Sequence, residues 1–467
     1  MSFVFYDTET TGLATDFDQI LQFAAIRTNA DLNETGRIEI RARLQPHVIP
    51  HPEALRVNGM TIGEIISPDL PSHYEMMRQV RATLLEWSPA IFVGYNSLNF
   101  DEHLLRQALF QTLHPPYLSN TNGNCRADVM HLLQAASVFE PGSINVPRDA
   151  RGNAIFRLED VAGRNGFPGH LAHNALGDVL ATIHLAKCAR ESAPDCWNRF
   201  VRFSKKASVS AFLEDEDAFV LTEFYYNRPY HYIVATFGKD PSQDNVSIGL
   251  DLRVNIDWLA SLSDPQLLEF VSQSPKRVRR IRTNAAPMVA SLEDAPDEVK
   301  GGQSDSEIIH IARRFKADKG LHARLVKALT ETRAERQASP FMEERLYDTF
   351  ISRDDERLME QFHIVNWPAR VQIVESLGDE RLRHFGRRLI HAHSPLLLNP
   401  AHRAEVEHLI RSRLLAQTVL DGKWTSIPVA VRRTDDLLRA TSGPAYERLS
   451  DYRSYLTRAL AISTATS

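Results

Sequence analysis

The chain has 467 residues, of which 43% are hydrophobic and 24% are charged, and its formal net charge is −5. This balance is ordinary for a globular protein, and the length predicts two or three domains rather than one core. The small acidic charge argues against a generic polyanion binder. Three cysteines without a CxxC pair argue against a disulfide framework or a zinc site, and they favour a reducing compartment.

The sequence also argues against insertion into a membrane. No run approaches the roughly 18 apolar residues that a membrane helix needs. The N-terminus, MSFVFYDTET, lacks a charged segment followed by an apolar one, so we expect no cleaved leader. These patterns predict a cytoplasmic protein, and in the absence of any oligomer signal we expect a monomer.

The first third of the chain alternates between strand-like and helix-like segments. The predicted strands are SFVFYD, ILQFAAIRT and AIFVGYN, and the predicted helices are DEHLLRQALF, RADVMHLLQAASVF and ALGDVLATIHLAKCAR. Such alternation predicts an α/β layer fold. Pro194 interrupts the pattern and predicts a domain boundary nearby.

The pattern changes beyond this boundary. FVLTEFYYNRPYHYIVATFG and VSIGLDL alternate with a period of two, which predicts a small antiparallel β unit or barrel. The polar stretch 285–304 predicts a loop or insertion, and the chain from Glu307 onward predicts helices. A second, less marked domain boundary is predicted near Pro340. We therefore expect domains over residues 1–192, 193–342 and 343–467.

Acidic residues at or near the ends of these segments are the strongest candidates for chemistry. Asp7 and Glu9 lie two apart in a strand, so their side chains point to the same face. Asp101 opens a helix, and Asp178 lies in an apolar helix stripe, where an unpaired charge is costly. Several acids aimed at one point require divalent cations. The pattern thus predicts two-metal phosphoryl chemistry.

A functional role is already favoured for Asp178 alone, but each of the other residues alone has an ordinary structural explanation. Asp-x-Glu also occurs at 305–307 and 354–356, where it is typical of exposed helix starts. Asp101 could simply interact with the dipole of its helix. A lone histidine such as His173 is more often structural than catalytic. The joint order of the four acids and the histidine in one α/β region favours a functional site that includes all five.

The motifs DTETTG, GYNSLNFDE and HNALGD, in this order, resemble the DEDDh family of 3′–5′ exonucleases. Asp7, Glu9, Asp101, His173 and Asp178 match the motif residues of that family one by one. QFAAIRT, INVPRD and FRLEDVAGRNG are similar to a bacterial branch of the family. This resemblance implies an α/β ribonuclease H-like exonuclease domain with a mixed sheet flanked by helices. It also implies an SH3-like β-barrel domain with a helical insertion, followed by an all-α C-terminal domain.

The same resemblance implies an activity. The expected protein is a Mg²⁺-dependent 3′–5′ exodeoxyribonuclease that degrades single-stranded DNA processively to 5′-mononucleotides in DNA repair and recombination. Asp7, Glu9 and Asp178 would hold two Mg²⁺ ions, for which Mn²⁺ could substitute, and Asp101 would bind directly or through water. His173 would act as the general base. Glu9 would also contact the terminal nucleotide.

Further substrate contacts are expected outside these five residues. Arg157 is a candidate phosphate clamp, since a guanidinium donates bidentately to phosphate, but a salt bridge with Glu159 or Asp160 explains it equally well. Phe156 could stack on a base, although a place in the core is favoured. A basic stripe that follows the tyrosine-rich β unit suits single-stranded nucleic acid, although such stripes are more often solvated faces. Its candidate residues are Lys276, Arg277, Arg279 and Arg280.

Two other functions stay open at this point. An RNA-trimming or proofreading exonuclease would use the same five residues, but the length and the extra domains favour DNA. A non-catalytic single-strand-binding protein is disfavoured because all five residues are intact. By resemblance, the expected partners are single-stranded DNA and the acidic tail of single-stranded DNA-binding protein.

Overall fold

The computed structural model describes residues 1–169, 174–332, 337–420 and 422–465. Its first region combines one sheet with helices on both faces. In chain order this region contains β1 (Phe3–Thr10), β2 (Ile20–Thr28), β3 (Glu34–Arg41), α1 (Pro52–Asn58), α2 (Ile62–Ile65), α3 (His73–Glu86), β4 (Ile91–Gly94), α4 (Asp101–Gln111), β5 (Cys125–Asp128), α5 (Val129–Phe139), α6 (Leu158–Arg164) and α7 (Ala175–Ser192).

Strand β1 lies at the centre of this sheet, whose order is β3-β2-β1-β4-β5. Strands β1 to β3 pair antiparallel, whereas β4 pairs in parallel with β1 and β5, so the sheet is mixed as expected. Because side chains alternate along a strand, Phe3 and Phe5 face a core shared with α5 and α7, and Val4 and Tyr6 face one shared with α3 and α4. Asp7 and Glu9 follow Phe3 and Phe5 at every second position, so they lie on the face of β1 that is turned toward α7.

Most predicted elements of this region are confirmed. The three predicted strands correspond to β1, β2 and β4, and two of the predicted helices to α4 and α7. The prediction of a helix from Arg126 onward is wrong at its start, because Arg126–Asp128 pair with Phe92–Gly94 and extend the sheet. Strand β3 was not predicted, since its polar sequence ETGRIEIR belongs to a partly exposed edge.

The second region is built around a second five-stranded sheet. It contains α8 (Pro194–Phe203), α9 (Lys206–Asp215), β6 (Phe219–Tyr225), β7 (Arg228–Asp240), β8 (Gln243–Asp251), α10 (Ile256–Ser261), α11 (Asp264–Ser272), β9 (Val278–Arg282), β10 (Met288–Ser291), α12 (Asp297–Lys300), α13 (Asp305–Ala317) and α14 (Lys319–Glu331). The strand order is β10-β6-β7-β8-β9, and each pairing is antiparallel.

This second sheet curls on itself. Arg279 on β9 reaches Glu223 and Tyr225 on β6, although two strands separate β9 from β6 in the sheet order. The predicted antiparallel unit is confirmed, while its closure into an SH3-like barrel stays a prediction. The predicted loop over 285–304 is wrong, because it contains β10 and α12. Val289 and Ala290 of β10 are buried against β6, which explains why this short apolar segment is a strand.

The third region contains helices and no strand in its described residues, as predicted. It contains α15 (Arg353–Ile364), α16 (Trp367–Ser376), α17 (Glu380–His393), α18 (Pro400–Leu415), α19 (Ile427–Ala440) and α20 (Pro444–Ala465). Helix α7 ends at Ser192 and α8 begins at Pro194, where the first domain boundary is expected, but the division into three domains stays a prediction. Within the described ranges, no helix is long and apolar enough to cross a membrane.

A buried ion-pair cluster attaches the helical region to the first region. Arg388 and Arg413 each bind the buried carboxylate of Glu343 at 2.7 Å, and these arginines lower the pKa of Glu343 although burial opposes them. Gln107 of α4 donates to the Glu343 carbonyl oxygen at 2.9 Å, and Arg388 donates to Gln111 at 2.7 Å. These contacts hold the helical region close to the end of β1.

Candidate active site

Three carboxylates converge where β1 meets the first turn of α7. One oxygen each of Asp7, Glu9 and Asp178 lies within 4.8 Å of the others. Alternation along β1 puts Asp7 and Glu9 on the α7 face. Asn174 caps α7 by accepting a hydrogen bond from the Gly177 amide at 3.3 Å, which starts the helix one turn before Asp178. The structure therefore brings together three of the four acids that the sequence predicted to be aimed at one point.

Asp101 lies beside this group on the other side of β1. Its Oδ1 accepts hydrogen bonds from the backbone N–H of Thr8 at 3.1 Å and from the Thr8 hydroxyl at 2.5 Å. Thr8 stands between Asp7 and Glu9, so these bonds tie the start of α4 to the strand that carries both acids. Asp101 is not one of the three acids whose oxygens cluster. A role as a direct or water-mediated ligand stays a prediction.

Burial and mutual repulsion raise the pKa values of Asp7, Glu9 and Asp101. Burial raises the pKa of Asp7 well above its ordinary value, and the charges of Asp101, Asp178 and Glu9 add to the effect. Burial, with the charges of Asp178 and Asp101, raises the pKa of Glu9 to about 8. Burial raises the pKa of Asp101 to about 7 despite the bonds from Thr8. Such a set of oxygen donors fits a hard divalent cation, which would offset the repulsion.

A cavity of about 550 Å³ opens next to these acids. Glu9 and Thr10 form part of its wall, and the loop after β1 contributes Leu13, whose side chain is 85% exposed. The opposite wall comes from the third region, with Leu420, Trp424 and Arg433. The cavity is large enough for a small organic ligand such as a nucleotide. It places an apolar surface directly beside the acidic group.

Sequence reasoning missed the C-terminal wall of this cavity. Trp424 and Arg433 are more than 400 positions from Glu9, and the segment around them carries no motif. Sequence reasoning also missed His51, which lines the cavity and pairs with Glu53 at 2.8 Å. In the sequence, His51 lies between Pro50 and Pro52 and belongs to no motif. No local signal could have identified these residues.

The predicted residues around FRLED lie near the second sheet. Arg157 precedes α6 with a side chain that is 70% exposed, and it pairs with Glu159 at 3.3 Å and Asp160 at 3.8 Å. Phe156 is buried and packs edge to face on Phe224 of β6 at 5.7 Å. Contacts of either residue with a nucleic acid stay predictions. His173, the predicted base, lies outside the described residues.

The basic stripe runs into β9, and each of its four residues has a partner within the protein. Lys276 donates to the Ser272 carbonyl oxygen at 2.6 Å. Arg277 and Arg280 pair with the buried acids Asp251 and Asp240, at 3.2 and 2.6 Å. Arg279 is buried. Its partners on β6 are Glu223 and Tyr225. The stripe therefore presents an interrupted set of charges, and its contact with nucleic acid stays a prediction.

Comparison with known proteins defines the class to which this site belongs. Residues 4–186, which include β1 and most of α7, match the exonuclease family. Residues 4–186 are therefore an exonuclease domain, and the protein is a nuclease.

The rest of the chain extends the relationship. The chain is a relative of bacterial exodeoxyribonuclease I. It is 24% identical to the protein of that name from Buchnera aphidicola subsp. Schizaphis graminum over 396 residues, which cover 82% of this chain and 81% of the relative. It is 27% identical to the Haemophilus influenzae protein over 424 residues, or 84% of this chain and 88% of the relative.

Solved structures share the fold over nearly the whole chain. Exonuclease I from Methylocaldum szegediense is 25% identical with a TM-score of 0.84, and the match covers 98% of this chain and 99% of that protein. E. coli Exonuclease I in complex with a dA16 oligonucleotide is 20% identical with a TM-score of 0.85 and the same coverage. An SSB/Exonuclease I structure in complex with an inhibitor, also 20% identical, has a TM-score of 0.81 over the same shares.

Proposed function

We propose that this chain degrades single-stranded DNA from its 3′ end and releases 5′-mononucleotides. The observation that carries this proposal is the convergence of Asp7, Glu9 and Asp178 beside a nucleotide-sized cavity in an exonuclease domain. The names of the relatives, exodeoxyribonuclease I, favour DNA as the substrate. The cavity would receive the terminal nucleotide, so that the bond before it lies at the acids.

Asp7, Glu9 and Asp178 would hold the metal, with Asp101 beside them. The oxygen donor set suits Mg²⁺, and we propose two ions with Mn²⁺ as a functional substitute. When bound, Mg²⁺ supplies Lewis-acid chemistry, by activating a water for attack on phosphorus and neutralising charge on the leaving oxygen. The three side chains fix where that chemistry occurs. The hydrogen bonds from Thr8 would keep Asp101 from turning away.

The remaining proposed roles belong to side chains around the acids. His173 would take the proton from the attacking water. Arg157, whose guanidinium is 70% exposed, would leave its pairs with Glu159 and Asp160 to bind the phosphate. Glu9 would contact the terminal nucleotide, because it lies both in the acidic group and in the cavity wall.

The second region would hold the strand that enters the site. Lys276, Arg277 and Arg280 would attract phosphates, and the exposed ring of Tyr226 would offer a stacking surface. We propose that the protein acts as a monomer in DNA repair and recombination. The SSB/Exonuclease I structure supports SSB as a partner of this chain as well.

A digestion panel tests this function. Single-stranded DNA, duplex DNA and RNA, each labelled at one end, are incubated with the protein and Mg²⁺, and the products are separated by size. We expect 5′-mononucleotides from single-stranded DNA, with label at the 5′ end retained longest. A chelator should stop the reaction, and Mn²⁺ should restore it.

Each alternative gives a different result in the same panel. Faster digestion of RNA would replace the DNA proposal by an RNA-trimming exonuclease. Binding without hydrolysis at any metal concentration would make the chain a single-strand-binding protein. Label released first from the 5′ end would contradict the direction.

A further inference from the structure

A second cavity, of about 330 Å³, lies on the second region, where β8 leads into α10 and α11 leads into β9. Its size is that of a small-ligand pocket. Aromatic, amide and guanidinium groups share its wall, and none of the described residues that line it is an aspartate or a glutamate. The wall includes Arg253, Asn255, Trp258, Phe270, Gln273 and Arg277.

Two arginines are held at this cavity by one buried acid. The Asp251 side chain is fully buried and accepts from Arg253 at 3.0 Å and from Arg277 at 3.2 Å. The two arginine side chains remain 43% and 45% exposed. One carboxylate cannot neutralise two cations, so this arrangement leaves one net positive charge at the surface. Because Asp251 already positions both arginines, their side chains lose little conformational entropy when an anion binds.

Nearby acids do not remove this charge. Asp257, on α10, pairs with Arg314, and Glu269, on α11, is not among the residues that line the cavity. Both acids lie outside the cavity wall. The positive charge of Arg253 and Arg277 is therefore available to a ligand that carries phosphate, which guanidinium binds bidentately.

Trp258 supplies a flat surface beside these arginines. It is 50% exposed although it is a large aromatic residue, and Phe270 packs against it at 6.0 Å with an angle of 72°. The edge contact fixes the ring without covering it. A fixed, exposed indole is a stacking platform for a base of any identity.

Aromatic and arginine side chains connect this cavity with the exonuclease domain through successive contacts. Phe224 packs on Phe156 at 5.7 Å, and its neighbour Tyr225 contacts Tyr230 at 5.5 Å. The chain of contacts then continues from Tyr225 through three further side chains. Arg279 donates to Tyr225 at 3.1 Å and lies 3.9 Å over Tyr232, which Arg253 also contacts at 5.7 Å.

We propose that this cavity binds one nucleotide unit of a single strand whose 3′ end occupies the exonuclease domain, with the base on Trp258 and the phosphate on Arg253 and Arg277. The substrate class rests on the proposed function. The site would bind only strands long enough to reach it from the active site. It would therefore make affinity depend on strand length, while the hydrolysis of very short strands would be independent of it.

The test compares a trinucleotide with a long oligothymidylate. Binding to the full chain is measured by fluorescence anisotropy in the presence of a chelator, so that no strand is hydrolysed. Trp258→Ala should weaken binding of the long strand about tenfold, the value of one stacked base, and leave the trinucleotide unchanged. Trp258→Phe should retain most of the affinity. Arg253→Gln together with Arg277→Gln should reduce the slope of log affinity against log salt by about 0.7 for each phosphate that the arginines neutralise in the unmodified protein.

Tyr446→Ala is the matched control, because this aromatic residue of the helical region is 45% exposed and lies in a different region. It should bind both strands like the unmodified protein. Equal affinity of Trp258→Ala and the unmodified protein for the long strand would overturn the proposal. So would Trp258-dependent binding of a free 5′-mononucleotide or an acidic peptide without any such dependence for the long strand.

These measurements need no catalysis. Trp258-dependent binding in a protein that fails the digestion panel would refute only the proposed activity. Normal digestion with no Trp258 dependence would refute only this site.

Discussion

The two five-stranded sheets differ in the charges that surround their acids. In the first sheet, Asp7 and Glu9 face Asp178, and burial and repulsion raise the pKa values of Asp7 and Glu9. In the second, the fully buried Asp251 binds two arginines of the chain itself. In this second arrangement the acid is fully paired within the chain, and one positive charge is left over at the surface. In the first, the neighbouring carboxylates raise each other's pKa values, which suits a site that binds a cation.

The largest expected effect follows from removing an acid of the first cluster. Asp178→Asn should lower the rate of nucleotide release by about a thousandfold or more, since metal ions contribute several kcal/mol to such reactions. Asp354→Asn, an exposed acid of a similar Asp-x-Glu pattern, is the matched control and should retain full activity. Initial rates on labelled single-stranded DNA check both variants. Normal activity of Asp178→Asn would exclude it as a ligand.

The pH dependence of stability tests the repulsion directly. The pKa of Glu9 is raised from 4.5 to about 8 in the folded protein, so the folded state binds protons more readily than the unfolded state between these values. The contribution of Glu9 to the free energy of unfolding of the metal-free protein should therefore be fully present at and below about pH 4.5. It should decrease as the pH rises through about 8, by a few kcal/mol. Thermal unfolding with a chelator measures the effect.

Glu9→Gln provides the corresponding variant. It should flatten this pH dependence and stabilise the metal-free protein at pH 8, and Mg²⁺ should stabilise the unmodified protein more than the variant. A steeper decrease of stability with pH in Glu9→Gln would contradict the assignment of repulsion to this cluster.

Removing the charge of Asp251 in the second sheet should change stability in the opposite direction from Glu9→Gln. Asp251→Asn removes the charge that both Arg253 and Arg277 bind, and it should destabilise the protein by about 1–3 kcal/mol at neutral pH. Chemical denaturation checks this value. Stabilisation by Asp251→Asn would show that the cost of burying this carboxylate exceeds the gain from its two arginine partners.

The smallest effect is expected from Arg277→Gln. Arg277 is 45% exposed, and Asp251 keeps its bond from Arg253, so the cost should be about 0–1 kcal/mol. The same denaturation experiment applies. A destabilisation as large as that of Asp251→Asn would show that Asp251 needs both arginines, and that Arg253 alone does not stabilise the buried carboxylate.

Much of the site could be predicted because its acids lie in regular elements. The alternation of β1 puts Asp7 and Glu9 on one face, and a charge in the apolar stripe of α7 makes Asp178 conspicuous. The same periodicities predicted three strands of the first sheet and the antiparallel unit of the second region. They failed for Met288–Ser291 and Arg126–Asp128, which are too short and too mixed to show a period.

The sequence by itself therefore determined the acids that cluster beside β1, the α/β character of the first region and the helical end of the chain, because these features depend on local periodicity. Only the tertiary structure decided that Trp424 and Arg433 line the cavity beside Glu9, and that Arg253 and Arg277 share one buried acid next to Trp258. Such juxtapositions arise from packing between distant segments. They leave no repeating pattern in the sequence from which they could be read.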